Sequence, residues 1–129
     1  MSYRPLVAAP PAGEACRMTE REMPPTAVPN LQSVLVDEVD TAEVAPGITR
    51  RGLPSGMVLA RAFDMAPGSR WPVVDHHGAD ESIYVVHGEL IEGEDRYPAG
   101  TYLLYRAGTS HQPSTETGVQ ILVFSKAAD

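Results

Sequence analysis

The chain has one cysteine, one tryptophan and two phenylalanines in 129 residues, and each scarcity removes a class of explanation. The lone Cys16 excludes an internal disulfide, so a reducing, cytoplasmic setting is the expectation. Basic residues are also few, ten against seventeen acidic ones, for a formal charge of -7. Phosphate recognition needs clustered Lys and Arg, and these are scattered, so no nucleic-acid partner is expected. No apolar run is long enough to cross a bilayer. The first thirty residues lack the charged start and unbroken apolar centre of a secretory leader, so no membrane partner is expected either. Convincing amphipathic helices and internal repeats are likewise missing. The length still suffices for one domain that buries a core without metal or disulfide help.

Proline is plentiful at one end. Residues 1–30 hold six prolines and no sustained periodicity, which reads as an arm, either disordered or strapped over a neighbouring subunit, with the structured domain over 31–129. From there, short apolar runs alternate with Pro and Gly. Ser33 to Val36 is a candidate first strand, and Asp37 to Glu43 an acidic connection or short helix. Strands are expected over Ile48 to Leu53, Met57 to Met65, Trp71 to His77, Glu81 to His87 with Gly88-Glu89 ending it, Thr101 to Tyr105 and Val119 to Ser125. A hairpin should turn through Glu92-Gly93-Glu94-Asp95. This pattern predicts an all-β antiparallel barrel or jelly roll. The last strand is nearly all apolar, as burial on both faces or a dimer contact requires.

Three of the four histidines fall between residues 76 and 87, next to carboxylates. On an extended Trp71 to His77, Asp75 and His77 project from one face and His76 from the other. A short turn at Gly78-Ala79-Asp80 sets Glu81 opposite His77, and His111 arrives from a third strand. Imidazoles and carboxylates converging from separate strands are the donor set of a divalent metal with open positions. His77, Glu81 and His111 are the core of that set. The fourth ligand is Asp75, or His76 if a bulge after Val74 turns it inward. His87 lies roughly 20 Å of extended chain from Glu81, too far along the strand to join them. Trp71, Tyr84, Tyr102, Tyr105 and Phe124 are expected to fill the barrel. Tyr105 and Arg106 lead into the His111 turn, where a hydroxyl and a guanidinium can meet a carboxylate or enolate substrate.

The spacings His77-x(3)-Glu81-x(6)-Gly88 and Gly100-x(5)-Arg106-x-Gly108-x(2)-His111 resemble the two motifs of the cupins. The phrases Tyr97-Pro98-Ala99-Gly100-Thr101-Tyr102 and Gly108-Thr109-Ser110-His111-Gln112-Pro113-Ser114 look most like the ChrR-type subfamily. The resemblance runs over about residues 44 to 125. The chain departs from the pattern where Asp75 takes the first histidine position, Gly68 sits one residue too far upstream, Arg106 replaces a proline and Thr115 an asparagine. Two carboxylates with two histidines form a harder set than three histidines, favouring iron(II), manganese(II) or zinc over copper(I). The resemblance implies an RmlC-like jelly roll, a homodimer, and a small-molecule substrate. It further implies a mononuclear metal enzyme, with dioxygenase-type cleavage of a diketone-like or aromatic ketone. The alternative it carries is a non-catalytic metal-dependent sensor. ChrR-type anti-sigma proteins precede the barrel with a zinc-binding helical domain. Cys16 and the absence of histidine before His76 leave no such ligand set here, so a sigma-factor partner is not expected.

Overall fold

Within the strands the most buried residues recur at every second position, as at Ile83 and Val85 or Val119, Ile121 and Val123, and a period of two builds strands whose one face is buried. The computed structural model describes residues 28–127; of the arm expected over 1–30, residues 1–27, with Cys16, lie outside the described residues. The chain divides after Gln32, and every strand described falls in the unit beginning at Ser33. The strands are β1 (Ala42–Ala45), β2 (Ile48–Gly52), β3 (Val58–Met65), β4 (Asp75–His76), β5 (Glu81–Glu92), β6 (Asp95–Pro98), β7 (Tyr102–Tyr105), β8 (Ser110–His111) and β9 (Val119–Lys126). All pairings are antiparallel. The main sheet runs β1-β2-β3-β9-β5-β6, with β7 also on β5, while β4 and β8 form a separate pair. No helix among the described residues is long and apolar enough to cross a membrane. The protein is all-β, as its sequence predicts.

Inward residues of three neighbouring strands make the core: Phe63 and Met65 from β3, Val119, Ile121 and Val123 from β9, Ile83 and Val85 from β5. The same register sets the site at one end of these strands. One cross-strand row reads Ser125, Glu81, Tyr105, and the row beside it Arg61, Val123, Ile83, Leu103. Glu81 and Arg61 therefore continue the inward faces of β5 and β3 past the last apolar layer.

Four expectations need correction. Ser33 to Val36 forms no strand, since Val34 and Leu35 are exposed with no sheet edge beside them. Val36–Glu38 is instead a single 3-10 turn, and the Arg51 guanidinium donates to the carbonyls of Asp37 and Val39 on either side of it. Of Trp71 to His77 only Asp75–His76 pairs as a strand, because Pro72 has no N–H to give a ladder. Tyr84 and Tyr102 do not fill the barrel. They face each other on the outer side of β5 and β7, and Phe124 shares that outer face one residue past the buried Val123. Finally, Gly88 does not end its strand.

At Gly88 the strand bends. A register shift between Val85 and His87 precedes it, and its φ of 84° lies in the left-handed region. Before the bend β5 pairs with β7 and β9; after it Glu89 to Glu92 pair with β6. A Cβ on Gly88 would stand 2.1 Å from the Gly118 carbonyl oxygen, which is backbone and cannot step aside. Gly93, at φ 62° in the β5–β6 turn, has open space around it. Gly88→Ala should therefore lower stability in urea denaturation by about 3 kcal/mol, against about 1 kcal/mol for Gly93→Ala, where only the backbone penalty applies. Equal losses at the two positions would show that the close approach is not what holds the bend.

Candidate metal centre

Asp75 and His111 are direct cross-strand partners in the β4–β8 pair. The ladder continues irregularly beyond it, with the His77 N–H donating to Thr109 O and the Gly108 N–H to His77 O. This holds His77 on the inner face with Asp75, two residues apart, and sends His76 to the exposed outer face, where its Nδ1 meets Ser110 Oγ at 2.6 Å. Glu81 enters from the start of β5. Each of Asp75, His77, Glu81 and His111 offers one ligand atom, and these atoms all lie within 4.8 Å of one another. His77 Nε2 is 3.6 Å from Glu81 Oε1, and His111 Nε2 is 3.8 Å from Asp75 Oδ2. The two imidazole centroids are 4.6 Å apart.

The donors fit a divalent cation on two grounds. His77 is 7% exposed and its buried Nε2 has no hydrogen-bond partner, although buried ring nitrogens are ordinarily satisfied. Two carboxylates, Asp75 and Glu81, also place an oxygen within 4.8 Å of the donor atoms of His77 and His111. Burial pushes the Glu81 carboxyl above the ordinary carboxylate range and the charge of Asp75 adds to this, against the opposing pull of His77, Arg61 and His111. A cation among these atoms would relieve both strains.

Glu92, expected from the sequence only as part of the hairpin turn, belongs to the same cluster. The bend at Gly88 returns the far end of β5 to His111, whose Nδ1–H donates to Glu92 Oε2 at 2.5 Å. In the neutral ring this tautomer turns the Nε2 lone pair toward Asp75 and the other donors. The Tyr105 hydroxyl donates to the same Glu92 oxygen, and its ring lies 4.4 Å from that of His111. Burial, then the bond to Glu92, holds the Tyr105 phenol well above its ordinary value. Carboxylate, histidine and ligand site in line form the usual outer support of a metal-binding imidazole. The signal in the sequence was faint: a glutamate in a strand-turn-strand looks like any solvated hairpin residue.

The expected pairing of Tyr105 with Arg106 is not what the structure brings together. Tyr105 packs among the histidines. Arg106 points to solvent, its side chain 74% exposed and 3.7 Å from Asp80. The guanidinium that reaches the cluster is Arg61, 3.7 Å from Glu81 Oε2 and donating to Ser125 Oγ at 2.8 Å. A cleft of about 420 Å³ opens over these groups, walled by Phe63 and Trp71, whose rings meet edge to face at 5.3 Å. Beneath it an apolar recess of about 60 Å³ continues toward Ile83, Ile121 and Val123. His87 lies exposed on the far side of the bend. Thr115, in the place of the motif's asparagine, is buried and joins β5 to the Gly118 turn, donating to Glu89 O and accepting from the Gly118 N–H.

A small antiparallel barrel with histidines and carboxylates turned into one end is the architecture of the cupins. Residues 30–129 match the profile of the ChrR Cupin-like domain, and the chain belongs to that family. Solved structures share the fold at low identity. A chain in the complex of Rhodobacter sphaeroides SigE with the anti-sigma ChrR is 22% identical, with a TM-score of 0.65 over 71% of this chain and 52% of that one. The polyketide cyclase RemF from Streptomyces resistomycificus is 19% identical, with a TM-score of 0.67 over 76% of this chain and 80% of that one. An acetylacetone dioxygenase from Acinetobacter johnsonii is 14% identical, with a TM-score of 0.65 over 74% of each chain. This chain thus spans about half the length of the ChrR-complex chain it resembles. No curated protein matches the sequence.

Glu81 gives a pH test of the cluster. Because its folded value is raised, the metal-free fold binds this proton more tightly than the unfolded chain does. The stability this gives is present below the ordinary carboxylate range and is lost as pH rises through the raised value. In chelator-treated protein, Glu81→Gln should therefore be more stable than the parent at neutral pH, with the gap closing as pH falls toward the ordinary carboxylate range. Urea denaturation across pH reads this directly, and a gap that does not change with pH would contradict it.

Proposed function

We propose that Asp75, His77, Glu81 and His111 hold one divalent ion, iron(II), manganese(II) or zinc, and that the chain acts there on a small organic molecule. The reaction proposed is dioxygenase-type cleavage of a diketone-like or aromatic ketone. The observation that carries this reading is the buried, unpartnered His77 Nε2 beside two carboxylates. A two-histidine, two-carboxylate set suits these harder ions. The bound ion supplies Lewis acidity to a substrate oxygen. The chain's own residues do the rest. Glu92 fixes the proton on His111 Nδ1, Tyr105 closes the side of the site beside it, and the Phe63 and Trp71 rings offer an apolar wall to a ketone. Tyr105, its hydroxyl held by Glu92, supports His111 from outside the cleft in this reading, and Arg106 is left without contact to the site.

The likeness to the ChrR complex favours a second reading, a binding module that senses a small molecule without turnover. A homodimer is part of either reading, through the outer face where Tyr84, Tyr102 and Leu104 are exposed.

Elemental analysis of protein prepared without added nickel should find about one divalent ion per chain. Glu81→Ala should lose it, since a site missing one of four ligands, and left with an unbalanced charge, holds the ion poorly. Unchanged metal content in that variant would sink the metal reading. Glu92→Gln should keep the fold and weaken metal affinity by about 10- to 100-fold, the usual cost of removing an outer-shell partner. Oxygen consumption with diketone and aromatic ketone substrates separates the two functions: turnover identifies the enzyme, and binding without oxygen uptake over long incubation identifies the sensor.

A further inference from the structure

The cleft over the cluster is lined by three cations, Arg50, Arg61 and Lys126, and three carboxylates, Asp75, Asp80 and Glu81. A divalent ion tips that balance to net positive charge, and a neutral ketone leaves it so. Arg61 is the least relieved of the cations. Its side chain is 20% exposed and its Nε is buried with no hydrogen-bond partner. One other nitrogen serves Ser125. Glu81 stands at 3.7 Å, beyond good hydrogen-bond reach, and is itself a proposed metal ligand. The guanidinium carbon lies over the Phe63 ring, 5.9 Å from its centroid. A buried guanidinium with an unmet donor, facing an opening, is a binding element for a planar anion.

Resting on the metal reading above, we infer that the ligand of this cleft is an organic acid, whose carboxylate docks on Arg61 while a neighbouring oxo or hydroxyl oxygen reaches the metal. The contact of Arg61 with Glu81 fixes the span. A carboxylate on the guanidinium would lie beside Glu81, which is 3.7 Å from that guanidinium, and this suits an acid with an oxygen close to its carboxylate, as in a 2-oxo or 3-oxo acid. The rest of such a molecule, apolar or aromatic, lies against Phe63 and Trp71 and points to the recess beneath. Arg50, close enough for its charge to oppose that of Arg61, has the role of raising the potential at the mouth. Sequence alone puts such a guanidinium at Arg106, just past β7, which β5 and β9 separate from β3. The strand register supplies it from β3 instead.

Benzoylformate and its methyl ester test the inference, because they share ring and oxo group and differ by the charge. Calorimetric titration of metal-loaded protein, with the fluorescence of Trp71 as a second readout, should give the acid at least about tenfold tighter binding than the ester. Arg61→Gln should cut that preference to less than about twofold, Arg61→Lys should keep part of it, and Arg106→Gln should leave it unchanged. An acid that binds no tighter than its ester, or not at all, overturns the inference without any variant. So does an undiminished preference in a folded Arg61→Gln protein. Elemental analysis of the same samples keeps the two readings apart. Protein that carries no ion fails the metal reading, while the acid-to-ester ratio still reports on Arg61.

Discussion

The close approach of Gly88 to the Gly118 carbonyl is the constraint from which the site follows. A side chain at residue 88 would occupy the same space as that oxygen, so only glycine lets β5 bend against the turn that begins β9. Without the bend, Glu81 and Glu92 would lie at opposite ends of a straight twelve-residue strand, more than 30 Å apart at about 3.3 Å per residue. With it, both ends of one strand address one histidine. Glu92 takes His111 Nδ1 and Glu81 shares the cluster at Nε2. Thr115 braces the same corner from the other side through Glu89 and Gly118.

Around that corner the electrostatics are poised between two costs. Burying two carboxylates and two imidazoles without a cation leaves like charges close and a ring nitrogen unsatisfied. Burying a cation without them would be worse. The half-buried position lets the groups keep partial contact with water while the apolar layer of Ile83, Ile121 and Val123 beneath stays closed. The centre therefore sits at the boundary between core and cleft, where the inward faces of β3, β5 and β9 run out of apolar residues.

How much of this was legible in the sequence follows from how local each feature is. The alternation of side chains across Asp75, His76 and His77 is a property of three residues, and it separates the two adjacent histidines onto opposite faces. Glu81 and His111 stand at fixed spacings from glycines, and the structure brings their donor atoms within 4.8 Å of those of Asp75 and His77. Features that depend on register between distant strands were not readable. Glu92 reaches His111 only because β5 bends, Arg61 reaches Glu81 only because β3 and β5 flank β9 in a particular offset, and Tyr84 and Tyr102 lie outside because of which face the barrel buries. Arg106 lies exposed beside Asp80 for the same reason: nearness in sequence to Tyr105 and His111 says nothing of direction once the strand has ended.

The aspartate in place of the first motif histidine gains a physical context from Arg61. Asp75 adds a negative charge where the pattern has a neutral ring, and that charge favours protonation of Glu81 and of Arg61 alike. Exchanging Asp75 for a neutral ligand would leave the buried guanidinium with only Glu81 as counter-charge, and exchanging Arg61 for a neutral residue would leave two carboxylates facing the same small volume. Asp75 and Arg61 thus form a single arrangement, a carboxylate in the place of the motif histidine and a guanidinium balancing it. A cleft built this way holds a positive group beside a cluster of carboxylate and imidazole donors. That is the combination an anionic, oxygen-rich ligand needs and a neutral one does not use.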